Sequence, residues 1–127
     1  MRAICLFGVV LCGIAVGCSK GGTPTTPERA DADRAKSLEE YDFPIGSTDI
    51  ERGRELYAEF CEECHPGGEA GDGPKIAGIA ESASQMRFQV RDGHDGVPAF
   101  DSSKISDDDL EALVAFTVTL GAVDPSL

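Results

Sequence analysis

Apolar and polar positions alternate in distinct blocks along this chain. Ala3 to Val16 carries no charge and follows Arg2. This run is shorter than the about 20 residues a membrane-spanning helix needs and ends in small residues, so residues 1–17 read as a secretory signal. From Ser19 to about Ile45 the apolar positions thin out. Gly21-Gly22-Thr23-Pro24-Thr25-Thr26-Pro27 is a linker composition, and Glu28 to Glu40 is charged, Ala-containing and too poor in apolar residues to pack. Residues 18–45 are therefore expected to form a flexible tether, spanning on the order of 90 Å when extended and roughly 30 Å as a coil.

Periodicity returns near Gly46. Thr48-Asp49-Ile50-Glu51 reads as a capping box, and Ile50, Tyr57 and Phe60, with Gly53 and Leu56 between them, follow at mixed helical spacing. The pattern predicts a helix from about Asp49 into Cys61, broken by Pro66, Gly67 and Gly68. Glu69 to Ala80 is Gly-rich loop. Glu81 to Arg91 predicts a short helix with Ala83, Met86 and Val90 on one face, stopped by Gly93. A loop over His94 to Lys104 follows. Ser106 then caps a last helix, with Asp107, Asp108 and Asp109 in its first turn and Leu110, Leu113, Val114, Phe116, Val118 and Leu120 making it strongly apolar. Gly121 ends it. No repeat and no convincing strand is visible, so the expectation is an all-α domain over residues 46–127.

Charge and composition narrow the partners. The 127-residue chain has a formal net charge of −12 and no Trp. Phosphates would be repelled, which argues against nucleic acid, whereas a basic protein surface would be attracted. So few large apolar residues in a small domain call for a staple.

Cys61-Glu62-Glu63-Cys64-His65 supplies the candidate chemistry. C-x-x-C-H is a haem attachment pattern. Two thiols on one helical turn reach the two vinyl groups along one edge of the macrocycle, and the adjacent imidazole turns to the iron. A structural zinc site would need further ligands, yet the chain has 2 histidines and adjacent Cys64 and His65 can hardly share an ion. A thioredoxin-like pair would want a βαβ context, and a disulfide across two residues would be strained. Of the 5 cysteines, Cys5 and Cys12 lie in the apolar run and Cys18 ends it, so none is left for a structural disulfide.

Together these features resemble the small single-haem class I cytochromes c over about Gly46 to Gly121. Gly53, Leu56 and Tyr57 match the G-x-x-L-Y/F that precedes C-x-x-C-H in that family. The resemblance implies first and last helices crossing closely at Gly53, with Leu113 and Phe116 opposite, and loops wrapped around one covalent haem c. Gly73-Pro74-Lys75-Ile76-Ala77-Gly78 is similar to the family's G-P-x-L-x-G loop, which implies that the Pro74 carbonyl accepts from His65 Nδ1. Family members often read G-x-x-G-M-P-A-F, the Met being the second axial ligand. Here Gly93-His94-Asp95-Gly96-Val97-Pro98-Ala99-Phe100 puts Val97 in its place. His94, Met86 or an open coordination site beneath Val97 remain as alternatives.

Ala15-Val16-Gly17-Cys18 resembles the lipobox of bacterial lipoproteins, with Ala15 where Leu is usual, which implies a lipidated Cys18. The resemblances imply a one-electron carrier rather than an enzyme. It would be held by lipid in the periplasm or cell envelope and would serve redox partners with basic docking surfaces. The alternative is a five-coordinate haem protein that binds or senses a small gas, or a haem subunit of an oxidoreductase.

Overall fold

The computed structural model describes residues 34, 35 and 37–127. The expected signal over 1–17, the lipidation candidate Cys18 and most of the expected tether lie outside the described residues. Residues 34, 35 and 37–40 are helical, and three further α-helices follow in chain order: α1 (Ile50–Phe60), α2 (Ala83–Asp92) and α3 (Asp107–Thr119), with a 3-10 turn at Pro66–Gly68. Among the described residues there is no strand, only an isolated parallel bridge between Glu81 and Val123. None of their helices is long and apolar enough to cross a membrane.

Each helix begins where a side-chain oxygen can take its free amides. Asp49, not Thr48, caps α1, accepting from Arg52 N at 3.0 Å. The expected Thr48–Glu51 box does not form: Asp49 caps the helix with its carboxylate, and its own N–H donates to Ser47 Oγ at 3.1 Å. Ser82 caps α2 through Gln85 N, and Ser106 caps α3 through Asp109 N, each at 3.1 Å. Gly93 closes α2 at φ 67°.

The core forms where α1 crosses α3. Gly53, Leu56 and Tyr57 are the buried positions of α1. A Cβ on Gly53 would stand 2.0 Å from the Ala112 carbonyl oxygen, so the two backbones touch at that residue. The Tyr57 and Phe116 rings lie beside it, 5.3 Å apart, while Leu113 and Val114 fill the space behind. Arg52 closes the edge of the crossing with two bonds to Asp109, of 2.7 and 2.8 Å. After α3 the chain turns back: Ala80 N and Glu81 N donate to Gly121 O and Ala122 O at 3.0 and 2.9 Å. This return buries Ala122 and Val123, which periodicity did not single out.

α2 is held differently from the expectation. Met86 is half-buried, and the wholly buried side chain one residue on is Arg87. Its guanidinium bonds both Glu111 oxygens at 2.7 and 2.8 Å, and the carbonyls of Tyr41, Phe43 and Pro44 at 2.9, 2.8 and 3.3 Å. The Phe43 ring lies over it at 3.8 Å. A buried cation is tolerated when paired and fully hydrogen-bonded. Residues 41–45, expected to belong to a spacer, thus supply backbone acceptors to the domain. Gly46 N adds a bond to Glu111 at 2.7 Å.

Candidate haem site

The candidate motif begins where α1 runs out. The Tyr57 carbonyl accepts from both Cys61 N and Glu62 N, at 2.8 and 2.9 Å, and the Cys61 carbonyl accepts from Cys64 N and His65 N, at 3.1 and 2.8 Å. The helix therefore tightens into a turn that carries both cysteines and delivers His65 at its end. Cys61 and Cys64 are free thiols, the first half-buried and the second exposed. Burial, with Cys64 and Glu62 adding to it, pushes the Cys61 thiol up to about 11, so it is held as S–H rather than thiolate. The Tyr57 hydroxyl donates to the His65 carbonyl and ties the turn to the helix crossing. Burial first, then the nearby Cys61, raises its pKa to about 12, which keeps it a donor.

His65 is fixed from two sides. Its Nδ1 lies 2.7 Å from the Pro74 carbonyl oxygen. A carbonyl can only accept, so the proton sits on Nδ1 and the Nε2 lone pair is left for another partner. The ring packs directly over Gly73, where a Cβ would come within 2.4 Å of His65 Cε1. Gly73 N bonds back to Cys64 O at 2.9 Å, and Gly68 O accepts from Ile76 N and Ala77 N, both at 2.8 Å. The loop is thus laced to the turn it serves. The sequence drew attention to Pro74; the need for a side-chain-free Gly73 beneath the ring emerges only in three dimensions.

The remaining sequence candidates separate. His94 is exposed, and its Nδ1 lies 2.9 Å from Asp95 Oδ1. Its loop is pinned by Gln89 donating to His94 O at 2.6 Å and by Phe100 N donating to Val90 O at 2.8 Å. Val97 is half-buried. Met86 is half-buried and packs against the core. Phe60 and Phe100 meet at 5.5 Å. A cleft of about 310 Å³ lies elsewhere, between Tyr41, Phe43, Arg91, Leu110 and Glu111, and contains none of the motif.

The donor set fits haem c. It offers two thiols on one turn and an imidazole whose free nitrogen is Nε2, next to half-buried apolar side chains. A zinc site would need a larger cluster, and among the described residues no group of three or more His, Cys, Asp or Glu side chains could hold a metal ion. Residues 48–116 match the family described as cytochrome C oxidase, cbb3-type, subunit III. The chain belongs to this family. It is a small monohaem cytochrome c with an all-α fold, and its cofactor is one covalent haem c. No curated protein and no solved structure matches it. The match covers the helix crossing, the C-x-x-C-H turn, α2 and most of α3, so the cytochrome c domain is the part whose geometry has been described. Such a domain is a haem-based electron-transfer module.

Proposed function

We propose that this cytochrome c is a lipid-tethered carrier of single electrons, facing the periplasm and serving redox partners with basic docking surfaces. The observation that carries it is the His65 imidazole held at Nδ1 by Pro74, 2.7 Å away, at the end of a turn bearing two free thiols. Cys61 and Cys64, both free thiols on one turn, would hold the haem covalently through thioether bonds. His65 Nε2 would hold the iron, and the Nδ1 bond to Pro74 orients the ring and raises its donor strength. When bound, the iron supplies a one-electron redox couple. α1 and the laced loop hold His65 in place through the Tyr57 hydroxyl and the Pro74 carbonyl, which limits movement of the imidazole. Residues 1–17 act as an export signal and Cys18 as the lipidated anchor. The tether then presents a domain whose net negative charge speeds encounter with a basic partner.

One fractionation experiment tests this reading. The full chain is produced in a bacterium that matures c-type cytochromes, and membrane and soluble fractions are stained for covalent haem after denaturing electrophoresis. Wild type should stain in the membrane fraction. Cys61→Ala with Cys64→Ala should lose the stain, and Cys18→Ser should move it to the soluble fraction. A stain that survives loss of both thiols would remove the attachment assignment; unchanged fractionation of Cys18→Ser would remove the anchor.

A further inference from the structure

The attachment turn has two ends, and one residue outside it holds both. Tyr57 lies on α1, one helical turn before Cys61. Its backbone carbonyl accepts from Cys61 N and Glu62 N at 2.8 and 2.9 Å, which fixes where the turn starts. Its side-chain hydroxyl donates to the His65 carbonyl, which fixes where the turn ends. The ring between these two grips is wedged into the crossing of α1 and α3. Tyr57 is 2 % exposed, and its ring lies 5.3 Å from that of Phe116.

The hydroxyl is not needed to satisfy the carbonyl it meets. His65 O also accepts from Gly68 N at 2.9 Å, so it would keep a partner without Tyr57. Nor does the crossing need it. The cytochromes c that the chain resembles carry Tyr or Phe at this position, so a ring alone suffices there. What the second bond adds is position. The Gly68 bond closes a local turn and moves with that turn. The Tyr57 bond spans 8 residues and ties the His65 backbone to the helix crossing. The imidazole hangs from that same backbone, and its Nδ1 must meet Pro74 O at 2.7 Å. Hydrogen bonds hold within a narrow range of distance and angle, so drift of the His65 backbone is felt at Nδ1.

Resting on the haem assignment above, we propose that Tyr57 is a positioning residue for the iron ligand: its hydroxyl couples the α1–α3 crossing to His65 and so tunes the reduction potential. The Nδ1 bond to Pro74 raises the donor strength of the imidazole. A stronger donor favours the oxidised iron and lowers the potential; hydrogen bonding to a ligand is one of the levers a protein has on that quantity. Without the hydroxyl the Nδ1 bond loosens, Nε2 weakens as a donor, and the potential rises.

Wild type, Tyr57→Phe and Tyr41→Phe are compared as full-chain holoproteins in reduction potential, in exchange of the His65 Nδ1 proton with water, and in denaturant midpoint. Tyr57→Phe keeps the ring in the crossing and removes only the donor. Its potential should shift upward and its Nδ1 proton should exchange faster. Tyr41→Phe removes the same atom from the chain's other tyrosine, whose hydroxyl donates to Asp92 at 3.0 Å, and should match wild type in both. A hydroxyl with a merely structural role would lower the midpoint of Tyr57→Phe and leave potential and exchange unchanged, and that result overturns the proposal. So does an equal shift of potential in Tyr41→Phe. If Tyr57→Phe does not accumulate as holoprotein, wild type decides by nuclear magnetic resonance of its reduced form under carbon monoxide. The Tyr57 hydroxyl proton should be protected from exchange and close to the Gly68 amide, since both donate to His65 O. A freely exchanging hydroxyl proton overturns the proposal. Absence of covalent haem in wild type would instead overturn the haem reading beneath it.

Discussion

Two glycines, Gly53 and Gly73, leave no room for a side chain, but what surrounds them differs. At Gly53 the nearest atoms to an added Cβ are backbone: Ala112 O at 2.0 Å and Ala112 C at 2.7 Å. At Gly73 they belong to one imidazole: His65 Cε1 at 2.4 Å, then Nδ1 and Nε2 at 2.9 Å. A helix backbone cannot retreat without moving the core behind it. A ring at the end of a side chain can turn aside. The first glycine is therefore a requirement of the fold, and the second a requirement of the site. The same substitution at both positions should separate stability from haem ligation.

Gly53→Ala should have the largest effect on stability. α3 would have to back away from α1, opening contacts made by Leu56, Leu113 and Val114, all nearly inaccessible. Overpacking costs about 1–3 kcal/mol and occasionally more, and a clash with backbone that cannot give way belongs at the upper end. Denaturant unfolding of the holoprotein should show a lower midpoint with an unchanged slope, while the folded fraction retains its haem spectrum. An undiminished midpoint would mean that the helices do not cross as closely as the Gly53–Ala112 contact implies.

Acid should act on the same crossing. Arg52 hydrogen bonds hold the Asp109 carboxyl below its ordinary 3.8. Burial pushes Glu111 up, but bonds from Arg87 and Gly46 N outweigh it and leave the group below its ordinary 4.5. A folded-state pKa that is lowered contributes stability above the unfolded value, and that contribution is lost as pH falls through the folded value. Stability should therefore be flat toward neutral pH and decline below about 4.5, the ordinary value for Glu111. Glu111→Gln should weaken the decline as well as lower stability at neutral pH, because it leaves the buried Arg87 without its counter-charge. Arg52 and Asp109 are more exposed, so Asp109→Asn should alter the curve less. A wild-type curve with no decline between pH 5 and 3 would remove these ion pairs from the account of stability.

The same contrast explains what could be read in the sequence. Cys61, Cys64 and His65 are adjacent, so their chemistry is written in one pentapeptide. The caps at Ser82 and Ser106 and the stop at Gly93 are equally local. The crossing at Gly53 and the bond from His65 to Pro74 came through resemblance to a family, because each joins residues that only folding brings together. Arg87 was not legible. A charged residue on an amphipathic helix reads as solvated. Its burial depends on Glu111 and on carbonyls from residues 41–44, and a carbonyl has no side-chain identity to betray it. The cap at Asp49 rather than Thr48 is a smaller case: both residue types can cap, and the carboxylate's reach to Arg52 N decided between them.

Gly73→Ala should have the smallest effect on stability and still alter the site. Gly73 does not have positive φ, so Ala fits its backbone, and reduced freedom of the unfolded chain contributes up to about 1 kcal/mol in the variant's favour. Against that stands the displaced ring. The cheapest relief is rotation of His65 away from the new methyl, which lengthens or breaks its 2.7 Å contact with Pro74 O. The unfolding midpoint should then stay within about 1 kcal/mol of wild type. The imidazole would lose the acceptor that fixes its tautomer and strengthens Nε2 as a donor, so the reduction potential should rise and the oxidised spectrum should shift toward high spin. If Gly73→Ala left potential and spectrum unchanged while destabilising the protein as much as Gly53→Ala, the ring would not be what Gly73 makes room for. The loop after the motif would then be fold rather than site.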